Sequence, residues 1–311
     1  MAGQGDSLRA IFFALGANFA IFLAKLAAAL LTGSGAMLAE AVHSLADCGN
    51  QILLLFGIRQ AKKPPSPEYP LGYGKAVYFW SFLVALMLFS VGGMFSIYEG
   101  LHKLHSDEPL QSPWIAVGVL VFSIIVEGVS MRACLVEVGK ARGKRTLWQW
   151  FRSTRQVELV VIFGEDLAAL LGLAFALAAV VIAMLTGNPL WDAVGTLAIG
   201  ALLIVVAVFI SIEVKAMLIG QSVEPEIRQQ MREFLVQRPE IECVYNLLTL
   251  QLGNDVMVSI KARMRGEDSA LGMIAQINAV ERELKRRFPN VRFSFFEPDI
   301  DDRDPGERRD Q

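Results

Sequence analysis

Apolar runs of membrane-crossing length recur six times along the chain, at 8–31, 35–58, 77–101, 113–135, 158–186 and 190–219; about 20 such residues span a bilayer core. Turn residues separate two of the closest pairs, Thr32-Gly33-Ser34 and Gly187-Asn188-Pro189, as hairpins between helices require. Beyond Gly220 the pattern becomes that of a water-facing domain. Residues 226–237 read as an amphipathic helix, and 245–252 and 256–264 alternate as strands around Gly253-Asn254-Asp255. The segment 269–288 sets Leu271, Ile274, Ile277, Val280 and Leu284 at helical spacing, and 291–296 reads as a third strand. This α-β-β-α-β order predicts a small α+β sandwich of about 80 residues, near the lower limit for an independent core, so dimerisation is expected. The predicted organisation is a six-helix transmembrane bundle at 1–220, an α+β cytoplasmic domain at 221–299 and a charged, disordered tail at 300–311.

Charge adds an orientation. The second connection carries Arg59, Lys62, Lys63 and Lys75, and the fourth carries Lys140, Arg142, Lys144, Arg145, Arg152 and Arg155. The first has no basic residue, the third has Lys103 beside Asp107 and Glu108, and the fifth has Asp192. Basic residues stay on the cytoplasmic side, which predicts that both termini are cytoplasmic, with the cytoplasmic membrane as the expected location. The run 140–155, with Trp148, Trp150 and Phe151 interleaved, fits either an interfacial helix on anionic lipid or a plain topology signal.

Composition agrees. Hydrophobic residues make up 54% of 311, and mean hydropathy is +0.44, above the range of ordinary soluble domains. A net charge of −2 argues against a generally basic nucleic-acid surface. Cys48, Cys134 and Cys243 form neither a metal pattern nor a disulfide framework and read as packing residues in a reducing compartment. The first apolar run lacks a small-x-small cleavage site, so no cleavable signal peptide is expected.

The chemistry lies in polar residues that interrupt the apolar runs: Lys25, Glu40, His43, Asp47, Glu99, Glu127, Glu165 and Asp166. Such groups cost several kcal/mol in hydrocarbon unless paired, hydrated or bound to metal. His43 and Asp47 stand four apart and so share a helix face; imidazole nitrogen plus carboxylate oxygen is half of a tetrahedral metal site. Counted from the basic ends of their spans, Asp47, Glu127 and Asp166 fall roughly 12–18 Å deep. Carboxylates at one depth on separate helices repel unless a cation lies between them, which points to a shared cation site. The competing account is that one or two of them pair with Lys25 or a backbone group. Lys25 pairs with Glu40 or snorkels outward, Cys48 reads as a buried packing residue, and His102 and His105 read as solvated loop residues.

These residues resemble a known family, the cation diffusion facilitators, over about 8–299. GSGAMLAEAVHSLAD on the second span is similar to the family's metal-binding helix, with His43 and Asp47 at its His-x-x-x-Asp positions. YPLGYGKAVYF resembles the family's approach to the third span, and Asp166 with LAALLG resembles the second metal-binding helix. Where that helix carries its histidine this chain has Ile162; Glu165-Asp166 and NPLWDAVGTLAIG resemble the branch of zinc transporter nine. The resemblance implies a ferredoxin-like C-terminal domain, a homodimer formed through it, and a divalent metal/proton antiporter, not an enzyme. Its implied ligands are His43, Asp47 and Asp166, with Glu165 as fourth ligand and Glu127 as its rival.

The implied activity is export of a divalent cation, zinc foremost, in exchange for protons by alternating access, with no fixed cofactor. One nitrogen with two or three oxygens is a harder set than two histidines and two aspartates, and leaves room for Mn²⁺, Fe²⁺ or Co²⁺. The family often carries accessory zinc in the loop after the second span and in the C-terminal domain. Here Tyr69 and Tyr73 stand at the loop positions and the C-terminal domain has no histidine, so neither accessory site is expected. Metal competes with protons for these ligands, and an imidazole titrating near 6.5 suits His43 as proton carrier. A membrane metalloenzyme is the rival from another class, but HExxH, a nucleophile elbow and a phosphate-cradling glycine loop are missing.

Overall fold

The computed structural model describes residues 3–105, 110–266 and 269–300, with side chains from residue 15 onward apart from residue 17. Asp107, Glu108 and 301–311 of the expected tail lie outside the described residues. The chain divides into two compact units. One comprises Met1–Arg59, Val77–Phe151 and Gln156–Lys215, the other Gln60–Ala76, Arg152–Arg155 and Ala216–Gln311.

The first unit is helical. α1 runs Gly3–Thr32, α2 Gly35–Ala61, α5 Pro113–Arg142, α7 Val157–Thr186 and α8 Leu190–Ile219. The third apolar run forms α3, Ala76–Met87, and α4, Phe95–Lys103, joined by a π-helical turn over Leu88–Met94. Among the described residues, five segments are long and apolar enough to cross a membrane: α2, α3 through α4, α5, α7 and α8. Within α1 the described side chains define a shorter apolar stretch, Asn18–Thr32. Gly33 and Gly187, at φ of 67° and 65°, turn the chain after α1 and α7 in a left-handed conformation that glycine adopts without strain.

Backbones approach closely where glycines face a neighbouring helix. A β-carbon on Gly200 of α8 would lie 2.8 Å from the Ile97 nitrogen and 3.0 Å from the Gly93 carbonyl oxygen. One on Gly100 would lie 2.7 Å from Leu197 Cγ. α4 and the π turn therefore meet α8 along a seam of bare backbone, the small-residue packing that substitutes for hydrophobic collapse between helices in lipid. A short helix, α6, Leu147–Ser153, precedes α7 and buries Trp150 completely while Leu147 and Trp148 stay exposed.

Asp192 lies in the first turn of α8, not in a connecting loop, and is only 2% exposed. Its Oδ1 accepts from Ser34 Oγ at 2.5 Å and its Oδ2 from the Gly35 nitrogen at 2.6 Å. Ser34 Oγ in turn accepts from the Met37 nitrogen at 3.1 Å, an N-cap on α2 reinforced by a carboxylate at the positive end of the helix. Lys103 donates to the Gly33 carbonyl, so the starts of α2 and α8 and the end of α4 are tied together.

The second unit contains α8's last residues, helices α9, Pro225–Val236, and α10, Ala270–Arg287, and strands β1, Ile241–Leu252, β2, Asp255–Met264, and β3, Val291–Pro298. The sheet order is β1-β2-β3, with β1 antiparallel and β3 parallel to the central β2. Both helices contribute to one apolar core: Met231 and Leu235 from α9, Val280 and Leu284 from α10, and Val258, Ile260 and Ala262 from β2. The observed order matches the expected α-β-β-α-β. β1 begins at Ile241 instead of at 245 because register shifts between Ile241 and Cys243 and between Val244 and Asn246 break the alternation that marks a strand. In the loop before α3, Gly74 lies directly against the Leu252 carbonyl and Gly253, with no room for a side chain.

Candidate metal centre

α2 carries most of the site. Glu40, His43, Asp47 and Gln51 follow one another at helical spacing and share one face. Glu40 and His43 are 0% and 1% exposed. His43 Nε2 lies 3.5 Å from Asp47 Oδ2, in contact but outside hydrogen-bond alignment. Among the described residues, neither ring nitrogen of His43, nor Asp47 Oδ1, nor Gln51 Oε1 has a hydrogen-bond partner. The π turn faces the imidazole: a β-carbon on Gly92 would stand 3.8 Å from His43 Nδ1, and π turns often mark such functional positions.

α5 and α7 complete the arrangement. A cavity of about 320 Å³ is lined by Asp47 and Gln51 of α2, Glu127 and Ser130 of α5, and Glu165 and Asp166 of α7. Its remaining wall includes Asn18, Ile162 and Ala169, and Leu54, Leu55 and Ile58 carry it along α2 toward Arg59. The expected residues Asp47, Asp166, Glu165 and Glu127 therefore border one space, with His43 bridging from Asp47 into the bundle interior. Both candidates for fourth ligand line the cavity, and Glu165 is the one tied to α2, its Oε1 accepting from Asn50 Nδ2 at 2.6 Å. Ser130 Oγ is 3.4 Å from both oxygens of Asp166.

Among the described residues, no three of His, Cys, Asp and Glu converge closely enough to hold a metal ion. Carboxylates on three helices repel one another, and a cation would draw them together. Asn50, Gln51 and Ser130 were missed by sequence reasoning. The first two carried a signal, standing three and four residues after Asp47 and hence on its side of the helix.

Lys25 belongs to the same interior. It is fully buried, and its Nζ donates to Glu40 Oε2 at 3.1 Å and to Ser44 Oγ at 2.8 Å, so it pairs and does not snorkel. His105 Nδ1 lies 2.9 Å from the Leu101 carbonyl and the His102 ring stacks on Tyr98, away from the cavity. Cys48 is buried.

Residues 11–219, more than half of the chain, match the cation efflux transmembrane domain. The chain belongs to the cation efflux family. This cation efflux chain is 31% identical over 285 residues to the "Proton-coupled zinc antiporter SLC30A9, mitochondrial" of Xenopus laevis, covering 91% of its own length and 50% of that protein. It is 30% identical over 249 residues to "Metal tolerance protein C4" of Arabidopsis thaliana, covering 79% of itself and 54% of that protein. It is 28% identical over 266 residues to the "Cation-efflux pump FieF" of Yersinia enterocolitica, with 84% and 82% covered. The likeness to SLC30A9 groups it with that branch of the family, although the chain spans about half the length of those relatives.

Proposed function

We propose that this cation efflux chain exchanges a divalent cation, zinc foremost, for protons and exports the cation from the cytoplasm. The observation that carries this reading is four carboxylates, Asp47, Glu127, Glu165 and Asp166, around one cavity between helices, with the buried imidazole of His43 beside Asp47. A group of that kind is stable in hydrocarbon when a cation or protons balance it. His43, Asp47 and Asp166 are the proposed ligands, with Glu165 as the fourth, since Asn50 holds it toward α2. The oxygen-rich set also accommodates Mn²⁺, Fe²⁺ or Co²⁺.

The mechanism follows from competition for the same atoms. Metal requires a neutral imidazole and ionised carboxylates, so protons arriving from the far side displace it and accompany the carrier's return. α1, spanning the bilayer with the five long apolar segments, would bring the basic connections to the cytoplasmic face with both termini. The cavity, extending along α2 to Ile58, is then open toward the cytoplasm, the side from which cargo loads. The three-stranded domain is proposed to be ferredoxin-like and to hold a homodimer together, with lipid around the 1–220 bundle.

The test is metal-driven proton flux in proteoliposomes, screening Zn²⁺, Mn²⁺, Fe²⁺ and Co²⁺. Flux in the wild type that disappears in His43→Ala and Asp47→Ala is the expected result. Equal flux in both variants would refute the assignment.

A further inference from the structure

The acceptor atoms on α2 do not stop at the proposed metal ligands. Glu40, His43, Asp47 and Gln51 each carry a buried side-chain nitrogen or oxygen without a hydrogen-bond partner among the described residues, and all lie on one face of the helix. The stripe runs from Glu40 to Gln51, about 16 Å along the axis. Its inner end, Asp47 and Gln51, borders the cavity; its outer end, Glu40, does not. Buried acceptors without partners are rare and costly, so four in register on one face need a common cause.

At the outer end Glu40 Oε1 is directed at α7 and occupies the space that Gly172 leaves by lacking a side chain: a β-carbon there would lie 2.5 Å from that oxygen. Gly172 is seven residues beyond Glu165, on the same face of α7 and about 10 Å farther along. Glu40 stands seven residues before Asp47 on α2, an equal step in the same direction. About two turns beyond the cavity, α2 thus sets a second carboxylate against bare backbone of α7. What balances Glu40 there is an ammonium: Lys25 Nζ at 3.1 Å, held from its other side by Ser44 Oγ.

We propose that Glu40, with His43 as the bridge from Asp47, is an outer station for the transported divalent cation, and that Lys25 fills it with its own positive charge while the cavity is open to the cytoplasm. The ammonium stands where the ion will later be and keeps the outer end closed to it. Passage outward requires Lys25 to withdraw as the cation arrives, so that Glu40 exchanges one positive partner for another. This rests on the transport reading above and adds a position on the ion's path to it.

The experiment compares full-length wild type, Lys25→Met and Lys25→Met/Glu40→Gln by equilibrium Zn²⁺ binding to the purified protein and by Zn²⁺-driven proton flux in proteoliposomes. Lys25→Met leaves Glu40 open to metal, so Zn²⁺ affinity is expected to rise about tenfold while flux falls. The double variant is charge-balanced and nearly isosteric, and is expected to bind Zn²⁺ like wild type yet to transport about tenfold more slowly. Wild-type affinity in Lys25→Met, or wild-type flux in the double variant, overturns the proposal. If Lys25→Met does not fold, flux through the double variant decides. Failure of the transport reading itself looks different: the wild type shows no flux, or His43→Ala keeps it.

Discussion

Replacing Asp192 by alanine tests how α2 is anchored. The carboxylate is 2% exposed and accepts from Ser34 Oγ at 2.5 Å and from the Gly35 nitrogen at 2.6 Å. Asp192→Ala leaves both donors buried without acceptors. At about 1–3 kcal/mol for each stranded group, the total is about 2–6 kcal/mol, and it falls on the first turn of α2. Hydrogen exchange followed by mass spectrometry reads that turn directly. At about 1.4 kcal/mol per tenfold, the Gly35 and Met37 amides should exchange at least about thirtyfold faster, and thermal unfolding in detergent should begin earlier. Asp192→Asn is the intermediate case: its carbonyl oxygen still accepts from one donor, while its amide nitrogen confronts the other. Unchanged exchange in Asp192→Ala would refute the reasoning, because the cap would then owe nothing to the carboxylate.

Two further outcomes are expected. Glu165→Gln should weaken Zn²⁺ binding about 10–100-fold while Glu127→Gln changes it little, measured by equilibrium dialysis; the reverse order would make Glu127 the fourth ligand. Gly200→Ala forces a β-carbon against backbone atoms of Ile97 and Gly93 and should cost about 1–3 kcal/mol, read as a lowered unfolding temperature, whereas Gly118→Ala, with nothing within 4 Å of the added carbon, should not.

Much of this protein is legible in one dimension because hydrophobic length is such a strong signal. The apolar runs at 35–58, 158–186 and 190–219 end within a few residues of α2, α7 and α8, since a helix in lipid must satisfy its backbone internally and its ends are set where polarity returns. The shared border of Asp47, Glu127 and Asp166 on one cavity follows from depth counting, which needs only 1.5 Å per residue, and Glu165 joins them as the neighbour of Asp166. What the pattern does not contain is azimuth, the direction each helix turns toward its neighbours. Asn50 reaches Glu165, Ser130 approaches Asp166 and Lys25 finds Glu40 only after packing fixes those rotations. In the sequence Asp192 reads as a loop charge for the same reason: one carboxylate at a helix start looks alike whether it meets water or a second helix. The π turn at Leu88–Met94 has no counterpart in hydropathy, because Leu, Phe, Val and Met are as apolar in a wide turn as in a narrow one. In the second unit, regular alternation revealed most of β1 and β2, and the bulges near Cys243 and Val244 hid the start.

The cap at Ser34 also limits how α2 is able to travel. Two bonds of 2.5 and 2.6 Å to one buried carboxylate survive a tilt of a few degrees about the capped end, since donors at the pivot move little. They do not survive sliding by a single residue, which would carry Gly35 about 1.5 Å along the axis and out of reach of Asp192. The helix that bears Glu40, His43 and Asp47 is therefore a pivot and not a piston. A tilt relative to α8 about that cap would displace each side chain in proportion to its distance from Gly35: least at Glu40, more at Asp47, most at Ile58.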